Sequence, residues 1–245
     1  MSLLQRKSPR PPPSQDVRFW GSARTYLLSV LLAPLARVRL RQFRLYIEHL
    51  SYIFWVNFTF PESRYHYSRE RLWQSVIKVL QSSSKGEKWS VYELGVAHGY
   101  TTYWFLNRNI PQIIKWRGFD LFTGLPSKWR NLDQGSFSNN GQIPTISDNR
   151  VIFVQGDVRV SLPKETVDDC RKLIIFDLDL YEPTLSSWAF FEPHLMPGDI
   201  LIFDEAFDSG ERAVIEHHVM RKFVVEAIAH THTQLALQIG HELAS

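Results

Sequence analysis

Four carboxylates close two apolar runs. In "FDLDLYEPT" (176–184) Asp177 and Asp179 stand two residues apart, and in "LIFDEAF" (201–207) Asp204 and Glu205 are adjacent. Residues 173–180 are read as a strand. A strand alternates its faces, so Asp177 and Asp179 are expected on one face. If the two runs are neighbouring parallel strands, all four acids gather at one edge of a pocket. Buried like charges repel and are costly to desolvate. A divalent cation would resolve that repulsion, and all-oxygen ligands favour Mg²⁺ or Ca²⁺ over Zn²⁺. The structural alternative is that one acid caps the helix starting near Pro183 while another pairs with Arg212.

Three more acids stand at expected strand ends. In "VYELGVAHGYTT" (91–102) Glu93 precedes a turn containing Gly95 and Gly99. These glycines are four apart, so the stretch is not the dinucleotide fingerprint G-x-G-x-x-G. A strand, an acid and a glycine turn opening a helix suit a nucleoside ligand without a pyrophosphate, although many strand–turn–helix joints carry two glycines. Asp120 ends "GFD" (118–120), where an acid can accept both hydroxyls of a ribose or serve as a loop or cap residue. Asp157 in "VQGDV" (154–158) could accept from an adenine amino group or cap the following helix.

The elements that must position these residues alternate along the chain. Strands are expected at 89–96, 113–120, 150–157, 172–180 and 199–206, with a closing strand pair at 222–230 and 234–240. Helices are expected at 99–108, 183–195 and 210–221. Another starts at Ser68, with Leu72, Val76, Ile77 and Leu80 on one face. The strands before residue 206 are almost continuously apolar, as in a parallel sheet covered on both faces. The fold class is therefore α/β, a Rossmann-like doubly wound sheet. Residues 121–149 are long, polar and rich in Gly, Ser and Asn, following a strand's C-terminal end where ligands bind in such sheets.

Charge is uneven. The first fifty residues carry nine Lys and Arg against Asp16 and Glu48, while the whole chain is only +3. The body shows no long basic run, so a nucleic-acid surface is not expected. Residues 1–17, with "SPRPPPSQD", are expected to be disordered, and 18–67 to form a basic, aromatic, helical extension. Its roles could be packing on the body or a second subunit, or peripheral membrane contact through residues 18–60. The stretch 45–60 is broken by Glu48, His49 and Asn57 and is shorter than the roughly 20 residues of a span. Residues 26–35 faintly resemble a signal peptide, but "RVRLRQFR" follows them instead of a cleavage site. The single cysteine, Cys170, excludes an intrachain disulfide framework and suits a reducing, cytoplasmic location. His98 is expected as a pocket-wall or surface residue and not a base. His217, His218, His230 and His232 lack a further ligand nearby in sequence and are expected in surface or core roles. Cys170 has no positioned base and is not expected to be a nucleophile.

In order and approximate spacing, "VYELGVAHGYTT", "GFDLFTGLP", "VIFVQGDV", "FDLDLYEPT" and "PGDILIFDEAFDSGERAV" resemble the macrocin O-methyltransferase family over about residues 62–220. These are class I, metal-dependent S-adenosylmethionine (SAM) methyltransferases acting on sugar hydroxyls of natural products. The resemblance implies a methyltransferase domain over 68–245. Glu93, Gly95 and Gly99 would line the methionine side of SAM, with Asp120 on its ribose and Asp157 on its adenine. Asp177, Asp204 and Glu205 would hold Mg²⁺ or another divalent cation, and Asp179 would be the general base. The partner implied is a small-molecule hydroxyl acceptor. The family's N-terminal part helps set acceptor choice and oligomerisation, so a homo-oligomer is expected. The chain departs from the family in carrying Glu205 where the metal pair is usually Asp-Asp, and Ala97-His98 where an aromatic and an arginine are common. Glu205 and the unusual N-terminus motivate the alternative of a catalytically silent binding or scaffold protein on the same fold, membrane-associated through residues 18–60.

Overall fold

A computed structural model describes residues 40–243 except Lys85, with side chains from residue 45 onward. The expected disorder over 1–17, the signal-like stretch 26–35 and the first part of the extension lie outside the described residues. The chain divides into two compact units, Met1–Ile47 and Glu48–Ser245. The second contains the sheet.

Eight strands form that sheet: β1 (Arg64–Tyr65), β2 (Trp89–Leu94), β3 (Ile113–Asp120), β4 (Val151–Gln155), β5 (Arg171–Phe176), β6 (Ile200–Phe203), β7 (Phe223–His230) and β8 (Leu235–Glu242). Their spatial order is β1-β7-β8-β6-β5-β2-β3-β4. From β6 through β4 the neighbours run parallel, while β8 is antiparallel to both β6 and β7. The closing strand pair is thus confirmed, with β8 inserted between β6 and β7. β1 adds a short parallel edge to β7.

Burial explains the apolar runs. Every residue of β2 and β6 is buried, and β5 is buried after Arg171. Strands enclosed on both faces have no polar side to show. The helices, in chain order, are α1 (Leu40–Thr59), α2 (Arg69–Ser82), α3 (Tyr100–Leu106), α4 (Val158–Ser161), α5 (Tyr181–Phe191), α6 (Ser209–Val214) and α7 (Met220–Lys222). A π-helical turn, Ile215–Val219, joins α6 to α7, so the helix expected at 210–221 is not one regular α-helix. α2 buries Leu72, Trp73, Val76, Ile77 and Leu80, the face its periodicity predicts. Trp73 packs on Trp104 of α3 with ring centroids 5.1 Å apart. That contact belongs to a core shared with Trp89 and Trp116 of the central strands.

One boundary matters for the site. The strand expected over 172–180 ends at Phe176, so Asp177 and Asp179 lie beyond it. Asp179 sits at φ 61°, a left-handed conformation that Asp tolerates better than most residues. Strand alternation therefore does not set its direction; the turn does.

Candidate functional site

A cavity of about 400 Å³ opens at the C-terminal ends of β2 through β6. Ligands in open α/β sheets bind at this edge because loops, not strands, shape it. Its walls include Gly95, Asp120, Asp157, Asp177, Asp179, Asp204 and Glu205. Seven of the nine residues singled out for cofactor, metal or base roles thus line one space. Glu93 and Gly99 do not.

Glu93 is fully buried at the end of β2. Its Oε2 accepts hydrogen bonds from the Thr102 hydroxyl and, at 2.8 Å, from Trp116 Nε1. It fastens α3 to the sheet. Burial pushes its pKa up to about 8, so it holds its proton at neutral pH. Gly95 is required by geometry: its φ is +93°, and a Cβ there would lie 1.8 Å from the Asp177 carbonyl oxygen. Gly99 takes φ +76° at the N-cap of α3.

Asp120 is a backbone clamp. Its Oδ2 accepts from the amides of Val96 and Ala97, both at 2.7 Å, and its Oδ1 from Phe122 N at 2.6 Å. The carboxylate thereby fixes the glycine turn after β2 against the loop after β3. Asp157 caps α4 through Arg159 N at 2.9 Å and pairs with the Arg159 guanidinium, which holds its pKa below the ordinary value. The capping alternative for Asp157 is therefore realised, within the cavity wall.

The acids after β5 and β6 meet because those strands are neighbours in register, Phe176 opposite Phe203, with the rings stacked 4.6 Å apart. Asp204 N donates to Phe176 O at 2.9 Å. Burial is the main cause that raises the pKa of all four. For Asp177 the charges of Asp204 and Asp179 add to it. Asp179 reaches about 7, with Asp204 and Asp208 raising it and Arg130 lowering it. Glu205 reaches about 9, pushed further by Asp204. Asp204 is raised too, with a hydrogen bond from Gln234 and the charge of Arg69 opposing the shift. The structural alternatives for this cluster are not met: α5 has no side-chain cap, and Arg212 pairs with Glu216 at 3.1 Å. Among the described residues, no three His, Cys, Asp or Glu side chains converge in an arrangement ready to hold an ion.

Three supporting residues escaped the sequence reading. Glu211, fully buried in α6, accepts from Leu178 N at 3.4 Å and Glu205 N at 3.0 Å, joining the two acid-bearing turns. Gln234, also buried, donates through Nε2 to Asp204 Oδ1. Arg130 lies in the long loop and bridges Asp208 at 2.5 Å and Glu48 at 3.1 Å, with its guanidinium over the Phe207 ring. That loop is folded: Leu125 N donates to Ser136 O at 2.8 Å, and Asn139 and Gly141 amides both reach Phe122 O. It contributes Leu125, Trp129 and Phe137 to the cavity lining, adding apolar and aromatic groups to the acids.

The remaining candidates stay apart. His98 is exposed and off the cavity lining. His230 is buried against Ser63 at 2.8 Å, and Cys170 Sγ reaches Ser90 Oγ and a backbone carbonyl.

The fold has a counterpart among solved structures. CalS11, a calicheamicin methyltransferase, matches with a TM-score of 0.52 at 22% identity, over 70% of this chain and 80% of that one. The fold is that of class I methyltransferases. The O-methyltransferase NovP matches with a TM-score of 0.49 at 15% identity, again over 70% and 80%. No protein-family model and no curated protein sequence matches the chain.

Proposed function

We propose that the protein is a SAM-dependent O-methyltransferase of the macrocin O-methyltransferase type, acting on a hydroxyl of a small molecule such as a sugar or natural product. One observation carries this reading. In a methyltransferase fold, the glycine turn, the strand-end acids Asp120 and Asp157 and the acids Asp177, Asp179, Asp204 and Glu205 all line one cavity.

The roles follow from chemistry. Gly95, whose missing Cβ makes room for the Asp177 backbone, would present its own backbone to the methionine portion. Asp120, held by three amides, is pre-positioned to accept from ribose hydroxyls. Asp157, although engaged by Arg159, retains acceptor capacity for an adenine amino group. A sugar hydroxyl is a poor nucleophile. Asp179, with a pKa of about 7, is suited to take its proton near neutral pH. The acceptor oxygen then forms a bond to the methyl carbon as the carbon–sulfur bond breaks, leaving a neutral thioether. The chain's main task is alignment of oxygen, carbon and sulfur.

Asp177, Asp204 and Glu205 would be the donors for a hard divalent cation such as Mg²⁺. These donors are all oxygen, and neighbouring acids add to burial in raising the proton affinity of Asp177 and Glu205. Such a cation would lower the pKa of the acceptor hydroxyl.

The test is transfer of a labelled methyl group from SAM to a panel of glycosides and phenols, with Mg²⁺ and with chelator. Transfer that needs the cation supports the reading. Failure of every acceptor, together with failure to bind SAM, would leave a binding protein on the same fold.

A further inference from the structure

Helix α1 has two unlike faces. On one, Tyr52 and Val56 are fully buried, and the Tyr52 hydroxyl donates to the Gln234 carbonyl at 2.7 Å. Arg212 adds to this anchorage, lying 4.7 Å from the Trp55 ring. On the other face Leu50, Phe54 and Phe58 follow at intervals of four and are 48%, 73% and 81% exposed. Ser51 and Asn57 are the other exposed residues between Leu50 and Phe58, so no charge interrupts this stripe. The Phe54 and Phe58 rings stack on each other, 6.3 Å apart. Large aromatic side chains gathered in water mark a contact surface rather than scattered surface apolarity.

The sequence just ahead says what would cover it. Residues 17–47 hold six arginines, Arg18, Arg24, Arg37, Arg39, Arg41 and Arg44, and no Asp or Glu. A charge-free apolar face next in sequence to a basic stretch complements an anionic bilayer surface. There aromatic rings settle at the headgroup–acyl boundary and arginines meet phosphates. A second copy of the chain is the poorer fit, because it would bring six further arginines without an acid in the same stretch. Among the described residues no helix is long and apolar enough to cross a membrane. We propose that the exposed face of α1 at Leu50, Phe54 and Phe58 docks the protein on an anionic lipid surface, with the arginines of residues 18–44 in the sequence supplying the complementary charge.

The test uses the full chain and vesicle co-sedimentation. Vesicles of phosphatidylcholine alone are compared with vesicles half composed of phosphatidylglycerol, at low and high salt. Binding is expected to the anionic vesicles and to weaken with salt. Replacing Phe54 and Phe58 together by Ser should weaken binding by about tenfold or more with an unchanged melting temperature, since both rings are exposed. Arg41→Gln with Arg44→Gln should reduce the preference for anionic over neutral vesicles. The proposal is overturned if anionic vesicles do not bind the protein, or if the Phe54/Phe58 variant binds as well as the parent. A dimer in solution that the same variant dissociates would overturn it in favour of self-association.

Discussion

Gly95 and Asp177 touch backbone to backbone. A Cβ on Gly95 would stand 1.8 Å from the Asp177 carbonyl oxygen, and Asp177 N donates to Leu94 O at 2.8 Å. The turn read as holding SAM and the turn bearing the acids therefore share one floor. Neither side is a flexible side chain that can swing aside. Gly95→Ala is expected to cost about 3 kcal/mol or more, from steric overlap and from φ +93°. Thermal unfolding checks this, and a melting temperature equal to that of the parent would refute the tight contact.

Asp179→Asn separates chemistry from binding. Asn tolerates the left-handed backbone at this position, so the turn should survive. Methyl transfer should fall by roughly a hundredfold or more, with SAM affinity nearly unchanged. In the parent, burial and the neighbouring acids hold the proton up to about pH 7, so the rate should rise with pH through about 7 as the proton leaves and frees the base. The Asn variant should lose that rise. A retained pH profile would assign the base elsewhere.

Glu211 supports the acids without lining the cavity. Its two oxygens accept the amides of Leu178 and Glu205, one from each acid-bearing turn. Glu211→Ala removes the acceptor from both part-buried amides, at a cost of up to about 1–3 kcal/mol for each. Glu211→Gln keeps one acceptor and should cost less. Urea unfolding of the two variants gives the order, and equal stabilities would show that the bridge does not matter.

Glu93 makes stability depend on pH. Its ordinary pKa is 4.5, and burial raises it to about 8 in the folded chain. Between these values the folded state holds a proton that the unfolded state has released. The contribution of Glu93 is therefore full below about pH 4.5 and declines as pH rises through 8, by a few kcal/mol at most. Glu93→Gln, which can still accept from Trp116 and Thr102, should flatten that slope. Stability curves from pH 5 to about 9 decide it, on the linkage relation.

Strand positions were legible because buried strands show as unbroken apolar runs, and β2, β5 and β6 have no solvent face. The acids at strand ends were legible for the same reason: a carboxylate closing such a run stands out. The direction of Asp179 was reached by the wrong route. Alternation along a strand suggested it, whereas the strand stops at Phe176 and a left-handed turn places the side chain. Arg130, Glu211 and Gln234 were not legible. Arg130 joins Asp208 and Glu48 across long stretches of sequence, and a polar loop gives no sign of which arginine will do so. Glu211 looks like an ordinary first-turn helix acid until the fold buries it.

The central claim is that the cavity holds SAM. Calorimetric titration of SAM into the purified full chain, with Mg²⁺ and with chelator, tests it most directly. The account predicts saturable binding of one SAM per chain, weakened when Asp120 is replaced by Ala. Absence of binding in both conditions would contradict it, and the cavity would then serve another ligand.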